Sequence, residues 1–377
     1  MNEQKNRVLF LTNIPSPYRV DFFNELGKKC DLTVLFENMN SDERNSGWCK
    51  RNFGNFNGIM LKGIKINKNK TICFGIRKYL NKYNIIVVGG YSTPTGMLAI
   101  IYLNIKKIPY IINVDGGLIK KDSQLKYKFK KYFISSALAW LSTGERTNEY
   151  LIHYGAKKEN IYKYSFTSIK EEDVIKKILD KNQKRVIKNE IGIVEEKVVI
   201  SIGRFIYSKG FDILLKASKK LNENIGIYII GGEPTDEYLE IKKDFDLKNI
   251  HFVEFKCKEE LKKYYMIADL FVLPTREDIW GLVINEAMAC GLPVITTDKC
   301  IAGLELIDEG VNGYIIPTND INKLEEKINK ILNNDLLMEN MTKNNLEKIK
   351  KYTLENMALE HIKIFKHIMG ENTHGKQ

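Results

Sequence analysis

Residues Pro274–Thr297 read PTREDIWGLVINEAMACGLPVITT, and this stretch decides the fold. It comprises a strand end, an acidic loop, a short helix, a Gly-Leu-Pro turn and a second buried strand. Asp278 lies in the loop, Gly281 stands where the helix begins, and Glu286 lies inside the helix. The unpaired N–H groups of a helix N-terminus suit a phosphate, and carboxylates suit sugar hydroxyls. The pattern predicts a nucleotide-sugar pocket, the alternative being a crossover helix with ordinary surface acids.

A second motif supports this interpretation. Residues Lys197–Asp212 read KVVISIGRFIYSKGFD, an apolar strand that runs into a loop carrying Arg204 and Lys209. Arginine offers a planar fork of donors and lysine a compact point charge, which together suit a diphosphate. Two solvated loop cations are the alternative for either residue alone. The presence of both motifs favours a diphosphate site.

Both motifs resemble the donor-site signatures of retaining glycosyltransferases of family 4. The usual patterns there are Glu, seven residues, Glu, and Gly-Arg followed by Lys-Gly. Glu286 keeps the helical position, whereas Asp278 stands where a loop glutamate is usual. The resemblance implies that Arg204 and Lys209 hold the donor diphosphate and stabilise it as it leaves. It also implies that Glu286 holds the ribose and that Asp278 orients the sugar.

The resemblance further implies metal-independent transfer with retention, by front-face attack of the acceptor. No bound metal is expected. The UDP- or GDP-sugar counts as a substrate, so no cofactor is expected either. The acceptor is expected to be a glycan in bacterial capsule, exopolysaccharide or lipopolysaccharide assembly. The residues predicted to be catalytic are Arg204, Lys209, Asp278 and Asp115. Those predicted to bind the donor are Gly203, Glu254, Gly281, Leu282, Val283 and Glu286.

Apolar strands alternate with helical stretches twice along the chain, six strands in residues 8–164 and six in residues 197–316. Continuous apolar strands with helical crossovers indicate parallel sheets covered on both faces. We therefore predict an α/β protein with two Rossmann-like doubly wound parallel-sheet domains, and the resemblance implies that they face across a cleft in a fold of GT-B type. The predicted domains are 1–175 on the acceptor side and 176–354 on the donor side. The C-terminal helix, 355–377, is expected from the resemblance to cross back to the first domain.

Two stretches of the first domain are expected at the cleft. The loop after the first strand carries Tyr18 and Arg19 where relatives often have a glycine pair, so Arg19 is expected to supply a charge there. The alternative is a rigid proline turn with a surface arginine. Asp115 follows the fourth strand, where relatives often have a histidine, and is expected to bind the acceptor hydroxyl or the donor sugar. Gly116 and Gly117 would allow close backbone approach.

Positive charge is concentrated in the first half of the chain. Residues 1–181 hold 31 Lys and Arg against 16 Asp and Glu, a net of +15, and the remainder holds 28 against 31, a net of −3. This asymmetry predicts an anionic partner for the first domain. Residues 119–134 are the densest stretch and are typical of a basic amphipathic surface helix, or of a core-packed helix with a solvated basic face. The predicted partners are a lipid-linked or phosphate-bearing glycan acceptor and an anionic membrane surface.

Other functions are less consistent with the sequence. A nucleotide-sugar epimerase of the same fold would need no second substrate and stays open, whereas nucleic-acid binding is not expected because no recognised binding motif is present. A dinucleotide oxidoreductase is disfavoured because no Gly-x-Gly-x-x-Gly follows the first strand. The six cysteines are scattered, no signal peptide is recognised and no apolar run reaches about 18 residues. The expected location is the cytoplasm, peripheral on the inner face of the cell membrane.

Overall fold

A computed structural model describes residues 6–38, 53–67 and 70–374. The chain divides into two units, each with its own parallel sheet. The first unit comprises Met1–Ser168 and Tyr352–Gln377, and the second comprises Ile169–Lys351. Within the described residues, no helix is both long and apolar enough to cross a bilayer.

The first unit contains a seven-stranded parallel sheet in the order β3-β2-β1-β6-β7-β8-β9. Its strands are β1 (Arg7–Thr12), β2 (Asp31–Phe36), β3 (Asn57–Met60), β6 (Ile85–Val88), β7 (Ile111–Val114), β8 (Ala139–Ser142) and β9 (Ile161–Lys163), and a separate antiparallel hairpin is formed by β4 (Ile64–Asn67) and β5 (Lys70–Ile72). Four helices connect them, α1 (Pro17–Gly27), α2 (Pro94–Lys106), α3 (Gln124–Ser135) and α4 (Glu145–His153). The sheet strands are apolar because helices cover both faces.

The second unit contains a six-stranded parallel sheet in the order β12-β11-β10-β13-β14-β15. Its strands are β10 (Lys197–Ile202), β11 (Ile225–Ile230), β12 (Ile250–Val253), β13 (Leu270–Leu273), β14 (Val294–Thr297) and β15 (Gly313–Ile316). Its helices are α5 (Lys181–Glu190), α6 (Phe211–Ser218), α7 (Asp236–Asp244), α8 (Lys258–Ile267), α9 (Leu282–Ala289), α10 (Ile301–Leu306), α11 (Ile321–Leu332) and α12 (Asp335–Ile349). The order reverses between β10 and β13, which is where ligands bind in open α/β sheets.

The last helix, α13 (Leu354–His374), belongs to the first unit and packs on α1. His361 lies at this contact, with its ring centroid 4.7 Å from that of Phe22. The predicted return of the C-terminal helix to the first domain is therefore confirmed. The prediction of two parallel-sheet Rossmann-like domains is confirmed as well.

All twelve predicted strands are present, and the described part of the chain contains three further short strands that were not predicted. These are β3 at the edge of the first sheet and the β4–β5 hairpin. The polar stretch Ser168–Glu196 contains α5, which packs against α8 in the second unit. Its start is capped reciprocally by Asp180 and Gln183.

Candidate functional site

Two loops meet at the reversal point of the second sheet. The first loop, residues 203–210, follows β10, and the second loop, residues 274–281, follows β13, so both predicted motifs lie at the carboxyl edge of this sheet. Gly210 adopts a φ of +67°, and a side chain there would place its Cβ 2.1 Å from the Pro274 carbonyl oxygen. The Thr275 hydroxyl donates to the Ser208 carbonyl oxygen over 2.7 Å. The two loops are therefore in direct backbone contact.

This contact brings together two of the predicted catalytic side chains. The Lys209 ammonium lies 2.5 Å from Asp278 Oδ2, and the two side chains are 19% and 16% exposed. The other carboxylate oxygen, Oδ1, accepts a hydrogen bond from the Trp280 backbone N–H at 3.2 Å. The cation that is predicted to hold the donor diphosphate thus has a carboxylate partner in the neighbouring loop.

Gly281 precedes α9, as predicted, and its φ of +102° favours glycine. A Cβ at this position would lie 2.9 Å from the Cys300 sulfur. The first residues of the helix, Leu282 and Val283, are half-buried. Because the first N–H groups of a helix lack intrahelical acceptors, this end is suited to an anion.

Glu286 lies one turn further along α9 and faces α8. The buried Tyr265 hydroxyl donates to Glu286 Oε2 over 2.9 Å. Burial raises the pKa of Tyr265 well above its usual range, and the neighbouring Glu286 carboxylate raises it further. Tyr265 therefore stays a neutral donor that orients the Glu286 carboxylate.

The remaining predicted donor residues lie at the same edge of the sheet. Gly203 and the exposed Arg204 follow β10, and the exposed Glu254 follows β12. A Cβ at Gly231, after β11, would lie 1.8 Å from the Gly203 carbonyl oxygen, so these two strand ends are also packed backbone to backbone. The structure brings Lys209 and Asp278 into contact, and it places Glu254 at the end of the outer strand.

Arg276 is a residue of this region that the sequence analysis did not identify. Its guanidinium forms a bidentate ion pair with Asp212, with N–O distances of 2.8 and 2.7 Å. It also lies 4.0 Å from the centroid of the Tyr207 ring. The sequence signal that could have identified Arg276 is its position within the quoted motif, two residues before Asp278.

In the first unit, Arg19 and Asp115 form an ion pair. Arg19 lies in the first turns of α1 and is only 4% exposed, so the alternative of a surface arginine is wrong. Although burial alone would lower its pKa, Asp115 raises the pKa of Arg19 above the usual range. The Asn113 amide donates to Asp115 Oδ1 over 2.8 Å, and the Tyr164 hydroxyl donates to the same oxygen over 3.4 Å. Asp115 is thus held at the end of β7.

The neighbouring predicted residues lie at the same edge of the first sheet. The half-buried Tyr18 ring packs edge-on against Phe166, with centroids 6.0 Å apart. Gly116 has a φ of +147° and follows Asp115 directly. At Gly117 the space for a side chain is filled, because a Cβ would lie 2.5 Å from the Tyr150 ring.

The basic stretch forms a helix only from Gln124, so residues 119–123 precede it. Leu125, Phe129 and Tyr132 are 82%, 50% and 52% exposed, whereas Phe133 is buried. An open pocket of about 620 Å³ adjoins the helix start, and its cationic lining consists of Lys120, Lys121, Lys128 and Lys131 beside His153. The exposed Leu125, Phe129 and Tyr132 side chains favour the surface-helix interpretation, whereas the solvated basic face agrees with both interpretations.

The described residues contain no cluster of three or more His, Cys, Asp or Glu side chains arranged to hold a metal ion. The sequence Asp244-Phe245-Asp246, which has the Asp-x-Asp pattern of some metal-binding motifs, overlaps the end of α7 and precedes β12. It precedes β12 and so lies at the amino edge of the sheet, opposite the two motif loops. Asp246 Oδ2 lies 3.4 Å from the Lys248 ammonium.

Comparison with known proteins identifies the class. The fold of Anabaena HepE in complex with UDP matches with a TM-score of 0.76 at 14% identity, over 98% of this chain and 100% of that one. The chain is 26% identical over 320 residues to an uncharacterized glycosyltransferase of Methanocaldococcus jannaschii, covering 83% of this chain and 82% of that protein. It is 20% identical over 306 residues to the N,N'-diacetylbacillosaminyl-diphospho-undecaprenol alpha-1,3-N-acetylgalactosaminyltransferase of Campylobacter jejuni, covering 78% and 81%.

Two Rossmann-like domains, with a final helix packed on the first, define the GT-B class of glycosyltransferases. Residues 183–348 match the family model Glycosyl transferases group 1, and the predicted resemblance to glycosyltransferase family 4 is confirmed. The chain is a glycosyltransferase that uses nucleotide-sugar donors, in a family that retains anomeric configuration. The predicted family and fold class are confirmed.

Proposed function

We propose that this glycosyltransferase moves a sugar from a UDP- or GDP-sugar to a glycan acceptor with retention of anomeric configuration. One observation carries the proposal. The Lys209 ammonium and the Asp278 carboxylate lie 2.5 Å apart at the reversal point of the second sheet. A cation, a carboxylate and a helix N-terminus at one sheet edge suit a diphosphate joined to a sugar.

The departing diphosphate develops negative charge, which must be stabilised. Arg204 and Lys209 supply two positive charges, and the N-terminus at Gly281, Leu282 and Val283 supplies N–H donors. These groups perform the work that Mg²⁺ performs in other transferases, so the proposed reaction needs no metal. Turnover that survives prolonged treatment with a chelator is the expected result.

The donor is proposed to be held at three further points. Glu286, oriented by Tyr265, accepts hydrogen bonds from the ribose hydroxyls. Gly203 and Glu254 border the nucleotide at the ends of β10 and β12. Asp278 accepts hydrogen bonds from the transferred sugar and orients its anomeric carbon.

The acceptor is proposed to bind the first unit near Asp115. The Asp115 carboxylate pairs with the Arg19 guanidinium, and a carboxylate in this place suits a hydrogen bond from the attacking acceptor hydroxyl. Tyr18, Gly116 and Gly117 border the same strand end. The Campylobacter relative is named for a diphospho-undecaprenol substrate, which supports a lipid-linked, phosphate-bearing acceptor here.

An enzyme that uses a lipid-linked acceptor must act at a membrane surface. The exposed side chains of Leu125, Phe129 and Tyr132, among the lysines of α3, suit the surface of an anionic bilayer. We therefore place the enzyme in the cytoplasm, peripheral on the inner face of the cell membrane. Its proposed pathway is the assembly of capsule, exopolysaccharide or lipopolysaccharide.

The donor is tested with a panel of UDP- and GDP-sugars. Thermal stabilisation identifies the donor that binds, because a ligand selective for the native state raises the unfolding temperature. Incubation with candidate lipid-linked acceptors and NMR of the product then gives the anomeric configuration. Retention supports the proposal and inversion contradicts it. Donor conversion without any acceptor would instead indicate an epimerase.

The membrane surface is tested by flotation with phosphatidylglycerol vesicles. Replacing Lys126, Lys128 and Lys131 by Gln is expected to weaken binding by about 100-fold, from about 1 kcal/mol per lysine near an anionic surface. The matched control replaces the exposed lysines Lys157 and Lys158. Equal flotation of both variants, or binding insensitive to salt, contradicts the assignment.

A further inference from the structure

Arg276 joins three elements of the second unit through its side chain alone. Its two terminal nitrogens donate to Asp212, near the start of α6, over 2.8 and 2.7 Å. One of them also donates to the Tyr207 carbonyl oxygen over 2.8 Å, and Nε donates to Asn319 Oδ1 over 2.8 Å. The donor fork of this arginine is thus shared among the loop after β10, α6 and the segment after β15.

The Arg276–Asp212 pair is shielded from solvent. The two side chains are 12% and 8% exposed. The hydrogen bonds to Asp212 raise the pKa of Arg276, so the guanidinium stays charged. Paired, planar contacts of this kind fix geometry better than a single contact, and lysine does not reproduce them.

The guanidinium does not contact the predicted catalytic side chains, but its anchors are their chain neighbours. The Arg276 backbone N–H donates to the Ser208 carbonyl oxygen over 2.7 Å. Lys209 directly follows Ser208, and Asp278 lies two residues after Arg276. The Arg276 contacts therefore link the two loops that carry the members of the Lys209–Asp278 pair.

We propose that Arg276 is a positioning residue for the donor site. It clamps the loop after β10 to the loop after β13 and so sets where the Lys209 ammonium meets the donor diphosphate. This inference rests on the proposed function, in which Lys209 binds that diphosphate. A purely structural ion pair would stabilise the second unit without acting through Lys209, and the test separates these two roles.

The test is a double-mutant cycle with Arg276→Lys and Lys209→Ala. Isothermal titration measures the dissociation constant of UDP or GDP, whichever the wild type binds more tightly. Arg276→Lys keeps the charge but loses the fork, and we expect it to weaken binding by about 10-fold, the scale of one charge-assisted contact. In the Lys209→Ala background the same change is expected to cost less than about 2-fold, because coupled residues are not additive.

Lys216→Ala is the matched control. The Lys216 ammonium lies 3.6 Å from Asp212 Oδ2, so the variant removes a cation from the same carboxylate without touching either loop. It is expected to bind the nucleotide like the wild type. Tyr207→Leu is a milder variant for the case in which Arg276→Lys does not fold, because the Tyr207 side chain is 71% exposed. It removes the aromatic face under the guanidinium and should also weaken binding only when Lys209 is present.

The outcomes separate the clamp from the proposed function. Two outcomes overturn the clamp alone. In the first, Arg276→Lys lowers nucleotide affinity equally with and without Lys209. In the second, Lys209→Ala weakens nucleotide binding but Arg276→Lys does not. Unchanged nucleotide binding by Lys209→Ala overturns the role of Lys209 itself and, with it, the inference. Loss confined to the background that contains Lys209 supports the clamp.

Discussion

Asp278→Asn is predicted to strengthen nucleoside diphosphate binding while it weakens sugar transfer. The Asp278 carboxylate lies 2.5 Å from the Lys209 ammonium, and both side chains are more than four-fifths shielded from solvent. A diphosphate that binds Lys209 must compete with this contact. The amide removes the competing charge but keeps the shape of the side chain.

The magnitude follows from the contact. Hydrogen bonds to charged groups contribute about 1.5–3 kcal/mol. If the lower part of that range no longer opposes diphosphate binding, the nucleotide binds about 10-fold more tightly, at about 1.4 kcal/mol per factor of ten. Transfer should fall by about 100-fold, because the charge-assisted contact between Asp278 and the sugar is lost at the same time.

Isothermal titration with UDP and GDP measures the first effect, and turnover with the identified donor measures the second. Asp278→Glu is the matched control, because it keeps the charge that Lys209 meets and is therefore expected to leave nucleotide affinity close to that of the wild type. Equal or weaker nucleotide binding by Asp278→Asn would refute the competition between carboxylate and diphosphate for Lys209.

Three further predictions concern catalysis and stability. Arg204→Ala or Lys209→Ala should lower turnover by roughly 10²–10³-fold, as for loss of one preorganised donor, and near-normal turnover in both variants contradicts their assignment. Gly281→Ala should lower the unfolding temperature, because a side chain at a φ of +102° costs about 1–2 kcal/mol and its Cβ would lie 2.9 Å from a cysteine sulfur. Gly370→Ala, whose Cβ meets nothing within 4 Å, is the control and should not lower it. Burial lowers the pKa of His361 to about 4. As the pH falls below about 6.5, the histidine of the unfolded chain is protonated before that of the folded protein. The free energy of unfolding therefore decreases from about pH 6.5 to about pH 4. The decrease should reach about 3 kcal/mol in the wild type and be absent from His361→Phe. If the unfolding temperatures of the two proteins changed equally with pH across that window, the prediction would be contradicted.

The main strands were predictable because helices bury both faces of each sheet and the strands are therefore continuously apolar. The hairpin strand β4 was missed because its side chains are solvent-facing, with Ile64 and Ile66 65% and 58% exposed. β3 was missed because it has four residues, including Gly58, and only half-buried apolar side chains. Short edge elements of this kind lack a continuous apolar signal.

The position of the donor motifs was predictable for a topological reason. Parallel strands bring their carboxyl ends to one edge, so the loops with Arg204 and Asp278 had to share that edge. The contact between Lys209 and Asp278, and the clamp at Arg276, depend on how two irregular loops pack. Periodicity carries no information on such packing.

The acceptor side was predicted less well. The sequence before Arg19 contains two prolines and was interpreted as a loop, but Pro17 starts α1, because proline is favoured in the first helical turn. Arg19 therefore lies in this helix, and its buried side chain pairs with Asp115. This pairing joins residues 96 positions apart and is a tertiary contact that no local pattern indicates.

The proposed donor site is tested most directly by a crystal structure of the protein with UDP or GDP bound. We expect diphosphate oxygens within hydrogen-bond distance of the Arg204 guanidinium, the Lys209 ammonium and the N–H groups at the start of α9. Diphosphate density elsewhere, for example on the lysines beside α3 with the Lys209–Asp278 contact unchanged, would contradict this expectation.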